Sequence, residues 1–334
     1  MSKKEKQPKE KVKKQKTPFT KEKFKKIMMG TKDDMGLLKK IAVYVILICV
    51  GFMFLSPVIK VFATSLMSLA DLLDSAVNWI PSTANWDNYK NAMNSMSYAK
   101  AIKDSLIISL VPTVINVVMC SVIGYGLARY SFKLKGILFM FVILAFVLPQ
   151  QLTLTPTYEL YSQLQLTGSI LPFIIPNIFG QGLNASIFIL ISWSFFKQIP
   201  NALMEAAQID GAGHAKQFFK IAIPSSIGAM VVIFLFSFVW YWNEDYLTNL
   251  YFYNFTAGSA NRYQFQPVIN QLAKFDSNFN SAANSAATEV TTSYANTGMR
   301  MAATILAIAP LLLVYFIMQK QFVESVDRAG ITGE

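Results

Sequence analysis

The sequence predicts an all-α membrane protein of six transmembrane helices. Three observations predict it. Of 334 residues, 53% are hydrophobic and only 15% charged, where a soluble domain carries about a quarter charged residues. The mean hydropathy is +0.38. Stretches free of Asp, Glu, Lys and Arg run 41–59, 105–128, 136–158, 160–196, 221–243 and 301–319, and about 20 apolar residues suffice to cross the hydrocarbon core.

Before the first span lies a basic tail. Residues 1–40 hold 15 Lys and Arg against 5 Asp and Glu, so they carry +10 of the chain's net +11. Such a block cannot fold alone and is expected to be a disordered cytoplasmic tail beside anionic lipid. Only two aromatic residues, Phe19 and Phe24, fall among its lysines, too few for base stacking along the tail, which argues against nucleic acid as a partner. The transmembrane domain is expected over 41–330. Its fourth charge-free stretch is too long for one helix and contains Pro172, Pro176, Gly180 and Gly182. It predicts a re-entrant segment followed by a span near 178–196. A long outer loop is expected over 244–300, as a flexible connection or a docking surface.

Lys and Arg concentrate on the cytoplasmic side of membrane proteins. With the tail inside, segments 1–40, 129–135, 197–220 and 320–334 hold 15, 3, 3 and 2 of them. The opposite segments 60–104, 157–170 and 244–300 hold 4, 0 and 3. Both termini are therefore expected in the cytoplasm, in a multi-pass protein of a bacterial plasma membrane.

Several function classes are disfavoured. Cys49 and Cys120 sit in apolar runs and His214 is the sole histidine, so neither a metal site nor a histidine-based triad is expected. No G-x-x-x-x-G-K-[ST] phosphate loop occurs. The chain is expected to be no enzyme, with any ATP and Mg held by another subunit. An ion-coupled secondary transporter would call for ionisable groups inside the membrane, and the long charge-free runs count against it.

Polar residues within spans are costly unless they face protein or water. Asn116, Gln150, Gln151, Asn184, Trp240, Tyr241, Trp242 and Asn243 are candidates for a substrate path, since neutral amides and aromatic faces suit an uncharged polyhydroxylated ligand. Helix–helix hydrogen bonding is the competing role for each.

The most specific signal lies between spans four and five, over 200–224. Pro200 and the run Ala202-Leu203-Met204-Glu205-Ala206-Ala207 suit a helix start, Asp210-Gly211 a break, and Phe218, Phe219, Ile221 and Ile223 the apolar side of a second piece that ends at Pro224. Two short helices broken at a glycine make a knob for a groove on another protein.

These residues resemble the EAA loop of binding-protein-dependent ABC importers. That pattern is E-A-A, three residues, G, nine residues, I, one residue, L-P. Glu205-Ala206-Ala207, Gly211, Ile221 and Pro224 meet every spacing, with Ile223 in the leucine slot. Asp210-Gly211-Ala212, Trp242-Asn243-Glu244 and Gln319-Lys320-Gln321-Phe322 look like the maltose-type, carbohydrate-uptake branch. The resemblance covers about 41–330. It implies a type I importer permease fold and alternating access driven by ATP. It also implies a second homologous permease subunit, two ATPase subunits and an extracytoplasmic solute-binding protein. Glu205 would be a polar anchor at the ATPase, Gly211 the hinge and Pro224 the stop. An oligosaccharide is the expected solute, and a peptide or polyamine the alternative.

Overall fold

A computed structural model describes residues 28, 35–253, 264–276 and 289–331. Most of the basic tail and two parts of the expected outer loop (254–263 and 277–288) lie outside the described residues. Among the described residues the structure is helical and holds no strand. The chain divides after Lys60 into two units, Met1–Lys60 and Val61–Glu334.

Helix α1 spans Leu37–Ser65. Up to Lys60 it turns large apolar side chains outward all round, Tyr44, Ile48, Phe52, Met53 and Phe54 among them, as a helix solvated by lipid does.

Within the second unit, α2 (Leu69–Leu73) starts with a capping box between Ser68 and Asp71. Asp71 accepts from Ser68, and hydrogen bonds from Ser82 and Ser68 hold its carboxyl below the usual carboxylate value. Helix α3 (Asp87–Ser95) leads into α4 (Tyr98–Arg129), a span of 32 residues with Pro112 inside it. Two short helices follow, α5 (Lys135–Val147) and α6 (Gln151–Gln163), then α7 (Leu171–Ile178) and α8 (Ala185–Gln198). The knob consists of α9 (Asn201–Ile209) and α10 (His214–Ser225, with a π-helical turn at Phe218–Ala222). Helix α11 (Ile227–Trp242), α12 (Tyr246–Tyr253), α13 (Val268–Ala273) and α14 (Glu289–Ile331) complete the described chain.

Helices α1, α4 and the 296–324 portion of α14 are long and apolar enough to cross a membrane. The pairs α5–α6, α8–α9 and α10–α11 are bent by 101°, 71° and 76°, and the spans number up to six if each pair counts once.

Four expectations are corrected. The third span, expected unbroken over 136–158, turns at Leu148, whose extended backbone (ψ 125) precedes Pro149. Proline disfavours the helical conformation in the residue before it. The fourth begins at Ala185 rather than near 178, because Gly180 (φ +69) and Asn184 (φ 52) occupy the left-handed region. The expected outer loop 244–300 contains helices α12 and α13, and α14 already begins at Glu289. At 1.5 Å per residue α14 is about 65 Å long, well beyond a hydrocarbon core of about 30 Å. Finally, α4 carries Asp104, fully buried, where the charge-free count began only at 105; its Oδ2 accepts the Gln266 N–H at 2.8 Å.

Lipid tails are as apolar as leucine, so burial alone does not drive helices together in a membrane; small residues and hydrogen bonds do. Helices α4 and α8 meet on that pattern. Gly124 lies so near α8 that a Cβ on it would come 2.5 Å from Ser192 Cβ and 2.9 Å from Trp193 N. Cys120, Ala185, Phe188, Ile189 and Ile233 form a buried cluster beside this contact. Helix α11 joins through Ser237, whose Oγ accepts from Asn116 Nδ2 at 3.1 Å. Trp242 ties α11 to α14 by donating Nε1–H to Ala307 O at 3.1 Å.

Gly124→Ala is expected to destabilise the protein by about 1–3 kcal/mol through overpacking. Gly126, in the same helix, has nothing within 4 Å of its Cβ position, so Gly126→Ala is expected to be neutral or to stabilise by up to about 1 kcal/mol. Thermal unfolding of the detergent-solubilised protein measures both. Equal effects would contradict the close approach.

Candidate functional site

The knob is held from beneath by aromatic packing. Tyr125 of α4 contacts Phe196 of α8 edge-on at 5.3 Å and Phe218 at 4.9 Å between ring centroids. Met204, Ile199 and Ala222 are buried in the same cluster, with Ile221 and Ile223 packed against it. Arg129, at the end of α4, donates to Ile199 O and, at 2.7 Å, to Asn201 Oδ1. A guanidinium there satisfies carbonyl groups exposed where α8 ends and complements the helix dipole.

The break within the knob is a glycine C-cap. Gly211 has φ +76. Its N–H bonds Gln208 O at 3.0 Å, and the Ala212 N–H bonds Ala207 O at 2.8 Å. This is the Schellman pair of bonds, which needs a left-handed residue at that position. A Cβ on Gly211 would meet open space, so any substitution there is penalised by backbone strain, about 1–2 kcal/mol. Buried Gln217 pins the far side of the turn by donating to Ala212 O at 2.8 Å.

Of the residues expected in the coupling loop, Glu205, Ala206, Asp210, Gly211 and Pro224 are exposed, while Ala207 and Ile221 are half-buried. The knob also presents Leu203, Ile209 (87% exposed) and Phe219 (67% exposed). Apolar side chains this exposed at a helix break make a surface suited to another protein. The expectation of Pro224 as a stop is refined: the chain bends by 76° two residues after it, at Ser226, before α11 begins.

At the other end of α8, the segment 179–184 joins α7 to α8 without regular structure. Irregular backbone inside a membrane bundle survives only where side chains or water satisfy its polar groups. Leu183 shows how. Its N–H donates to the Tyr241 hydroxyl at 3.0 Å, and its carbonyl accepts from Asn116 Nδ2 at 3.4 Å. Asn177, fully buried, donates Nδ2 to the Tyr241 hydroxyl at 2.5 Å and to Phe173 O at 2.6 Å. A cavity of about 470 Å³ opens beside this loop, lined among others by Gln150, Thr153, Gln181, Asn184, Tyr241 and Tyr251. Among the described residues its lining contains no charged side chain.

The structure therefore sorts the expected substrate-path residues. Gln150, Asn184 and Tyr241 line the cavity, and Gln150 Nε2 lies 3.4 Å from Asn184 Oδ1. Asn116 lies behind it as a tie between helices. Gln151, Trp240, Trp242 and Asn243 do not line it. Successive helical positions point about 100° apart, so the run 240–243 cannot act as one patch: Trp240 packs tilted against Phe188 at 5.2 Å between ring centroids, Trp242 is buried against α14, and exposed Asn243 donates back to Val239 O. Arg129, Asn177 and Gln217 were not singled out from the sequence. Proline and glycine around Asn177 marked the segment, but nothing local marked which amide would be buried. Among the described residues no group of three or more His, Cys, Asp or Glu side chains gathers to hold a metal.

Glu244, just past α11, is half-buried and accepts the Leu247 N–H at 2.8 Å. Burial pushes its carboxyl above the ordinary value of 4.5. Asp245 Oδ1 accepts from Asn249 and from Asn270, each at 2.8 Å, and ties α12 to α13.

A long-span helical bundle with an exposed knob and a neutral cavity is the membrane subunit of a transport system rather than a soluble module. The chain belongs to the family described as the binding-protein-dependent transport system inner membrane component, whose profile matches residues 120–328. It is the permease subunit of a binding-protein-dependent ABC importer. It is 30% identical over 207 residues to a probable ABC transporter permease protein of Pyrococcus horikoshii, covering 61% of this chain and 74% of that one. It is 26% identical over 308 residues to the arabinooligosaccharides transport system permease protein AraQ of Bacillus subtilis, covering 88% and 96%. A solved structure of a bacterial ABC transporter involved in import of the acidic polysaccharide alginate shares the fold, with a TM-score of 0.67 and 18% identity over 92% of this chain and all of that one.

Because the folded chain holds the Glu244 proton to higher pH than the unfolded chain, stability from this site is full below about pH 4.5 and falls as pH rises through the raised value. Glu244→Gln keeps an acceptor for Leu247 and should flatten that slope. Melting temperature against pH checks it; identical slopes in both proteins would contradict the burial of the carboxyl.

Proposed function

We propose that this permease imports an uncharged oligosaccharide across a bacterial plasma membrane by ATP-driven alternating access. It would work with a second permease subunit, two ATPase subunits and an extracytoplasmic solute-binding protein. The observation that carries the solute class is the cavity beside 179–184, where every lining side chain among the described residues is neutral. A charged solute would call for compensating charge there, since an unpaired ion in a low-dielectric site is penalised by several kcal/mol. Relatives support the same class: one of them is named for arabinooligosaccharide transport.

The six-span arrangement with cytoplasmic termini is proposed on the Lys and Arg bias, with each bent helix pair counted as one span. In that arrangement the knob 200–225 faces the cytoplasm. Its role is to seat in an ATPase groove, with Ile209 and Phe219 as apolar anchors and Glu205 at the polar edge. ATP and Mg are held by the ATPases, whose closure would drive the knobs of the two permeases toward each other as rigid bodies.

Calorimetry of the partner solute-binding protein against sugars, peptides, polyamines and phosphorylated compounds tests the solute class. Tight binding of a neutral oligosaccharide is expected. Tight binding of a charged compound with no response to any sugar would refute the carbohydrate reading and leave the importer assignment in place.

A further inference from the structure

The Tyr241 hydroxyl is placed in an unusual way for a buried tyrosine. It receives two hydrogen bonds, from Asn177 Nδ2 and from the Leu183 N–H. Both groups can only donate. The phenolic oxygen is thus used as an acceptor, and no described residue takes the phenolic proton. Asn177 cannot turn to take it. Its Nδ2 is fixed on Phe173 O, while its Oδ1 is buried without a partner and lies 1.9 Å from the position a Gly182 Cβ would occupy. Only glycine at 182 leaves room for that amide. Tyr241, Leu183 and Gly182 all line the cavity.

We propose that Asn177 is a positioning residue that, with Gly182, fixes Tyr241 as a hydrogen-bond donor into the cavity, where it selects a solute presenting a neutral acceptor oxygen such as a sugar hydroxyl or ring ether. The inference rests on the neutral-oligosaccharide reading and deepens it. A free tyrosine hydroxyl rotates and offers either polarity; one that already accepts twice offers its proton. The device also links recognition to the loop. The same hydroxyl holds the Leu183 backbone, so a solute that engages Tyr241 bears on the segment that starts α8.

The test uses the complete permease–ATPase complex in detergent, without the binding protein, and equilibrium dialysis of radiolabelled arabinotriose, trehalose and diacetylchitobiose. Tyr241→Phe removes the proton and keeps the ring. Asn177→Asp keeps the shape but supplies an acceptor, so it takes the Tyr241 proton away from the cavity. Each is expected to weaken the dissociation constant of the bound sugar about threefold to tenfold, the range of one hydrogen bond. The double variant should be no weaker than Tyr241→Phe alone, because both act through one proton. Additive losses in the double variant would assign Asn177 a merely structural role and overturn the proposal. Unchanged binding in Tyr241→Phe would overturn it even if Asn177→Asp does not fold. A native complex that retains none of the three sugars also overturns it, whereas their uptake into proteoliposomes when the binding protein is supplied would leave the importer's sugar reading standing.

Discussion

The close contact of α4 with α8 is the constraint on which the rest of the second unit depends. In a membrane no solvent penalty forces two apolar helices together, so their separation is set by what their surfaces allow. Gly124 lets the α8 backbone come within a Cβ's reach of α4. That distance brings Tyr125 onto Phe196 at one end and Asn116 onto the Leu183 carbonyl at the other. A larger residue at 124 would loosen both ends together.

Helix α8 therefore has a job at each end. Fourteen residues, about 21 Å of helix, separate the irregular loop beside the cavity from the knob. At its start, side chains from α4 and α11 hold Leu183 by both its backbone groups. At its finish, Arg129 and the aromatic cluster hold the turn into α9. A short rod fixed at both ends transmits displacement better than it bends, and an importer needs that property if nucleotide-driven motion at the knob is to reach the solute.

Much of this was legible in the sequence, for identifiable reasons. The knob could be read because its pattern is local: a helix start at Pro200, a left-handed glycine at 211 and a fixed apolar spacing to Pro224 are all encoded within 25 residues. The long spans α1, α4 and α14 were visible as charge-free runs, for the same local reason. Bends were harder. The turn at Pro149 interrupts a stretch whose composition suits one straight span, and hydropathy carries no direction. The cavity was only half legible. Gln150 and Tyr241 could be nominated as polar groups in apolar surroundings, but the neighbours Trp240, Trp242 and Asn243 looked equally eligible. Which of four consecutive helical residues faces the cavity is decided by α8 and α14 packing against α11, and that is long-range information. Asn177 and Arg129 escaped for the same reason: their partners lie 64 to 72 residues away along the chain.

The central claim is that the exposed knob is where this permease meets its ATPase. Phe219 is the best reporter, being apolar, 67% exposed and carried on the π-helical turn rather than in the cluster beneath. Benzoylphenylalanine placed at Phe219 in the assembled complex, irradiated in inside-out membrane vesicles, tests this directly. The account predicts a covalent adduct with the ATPase subunit. An adduct formed only with the solute-binding protein or with lipid, in vesicles whose ATPase is bound and active, would contradict both the docking role of the knob and its cytoplasmic placement.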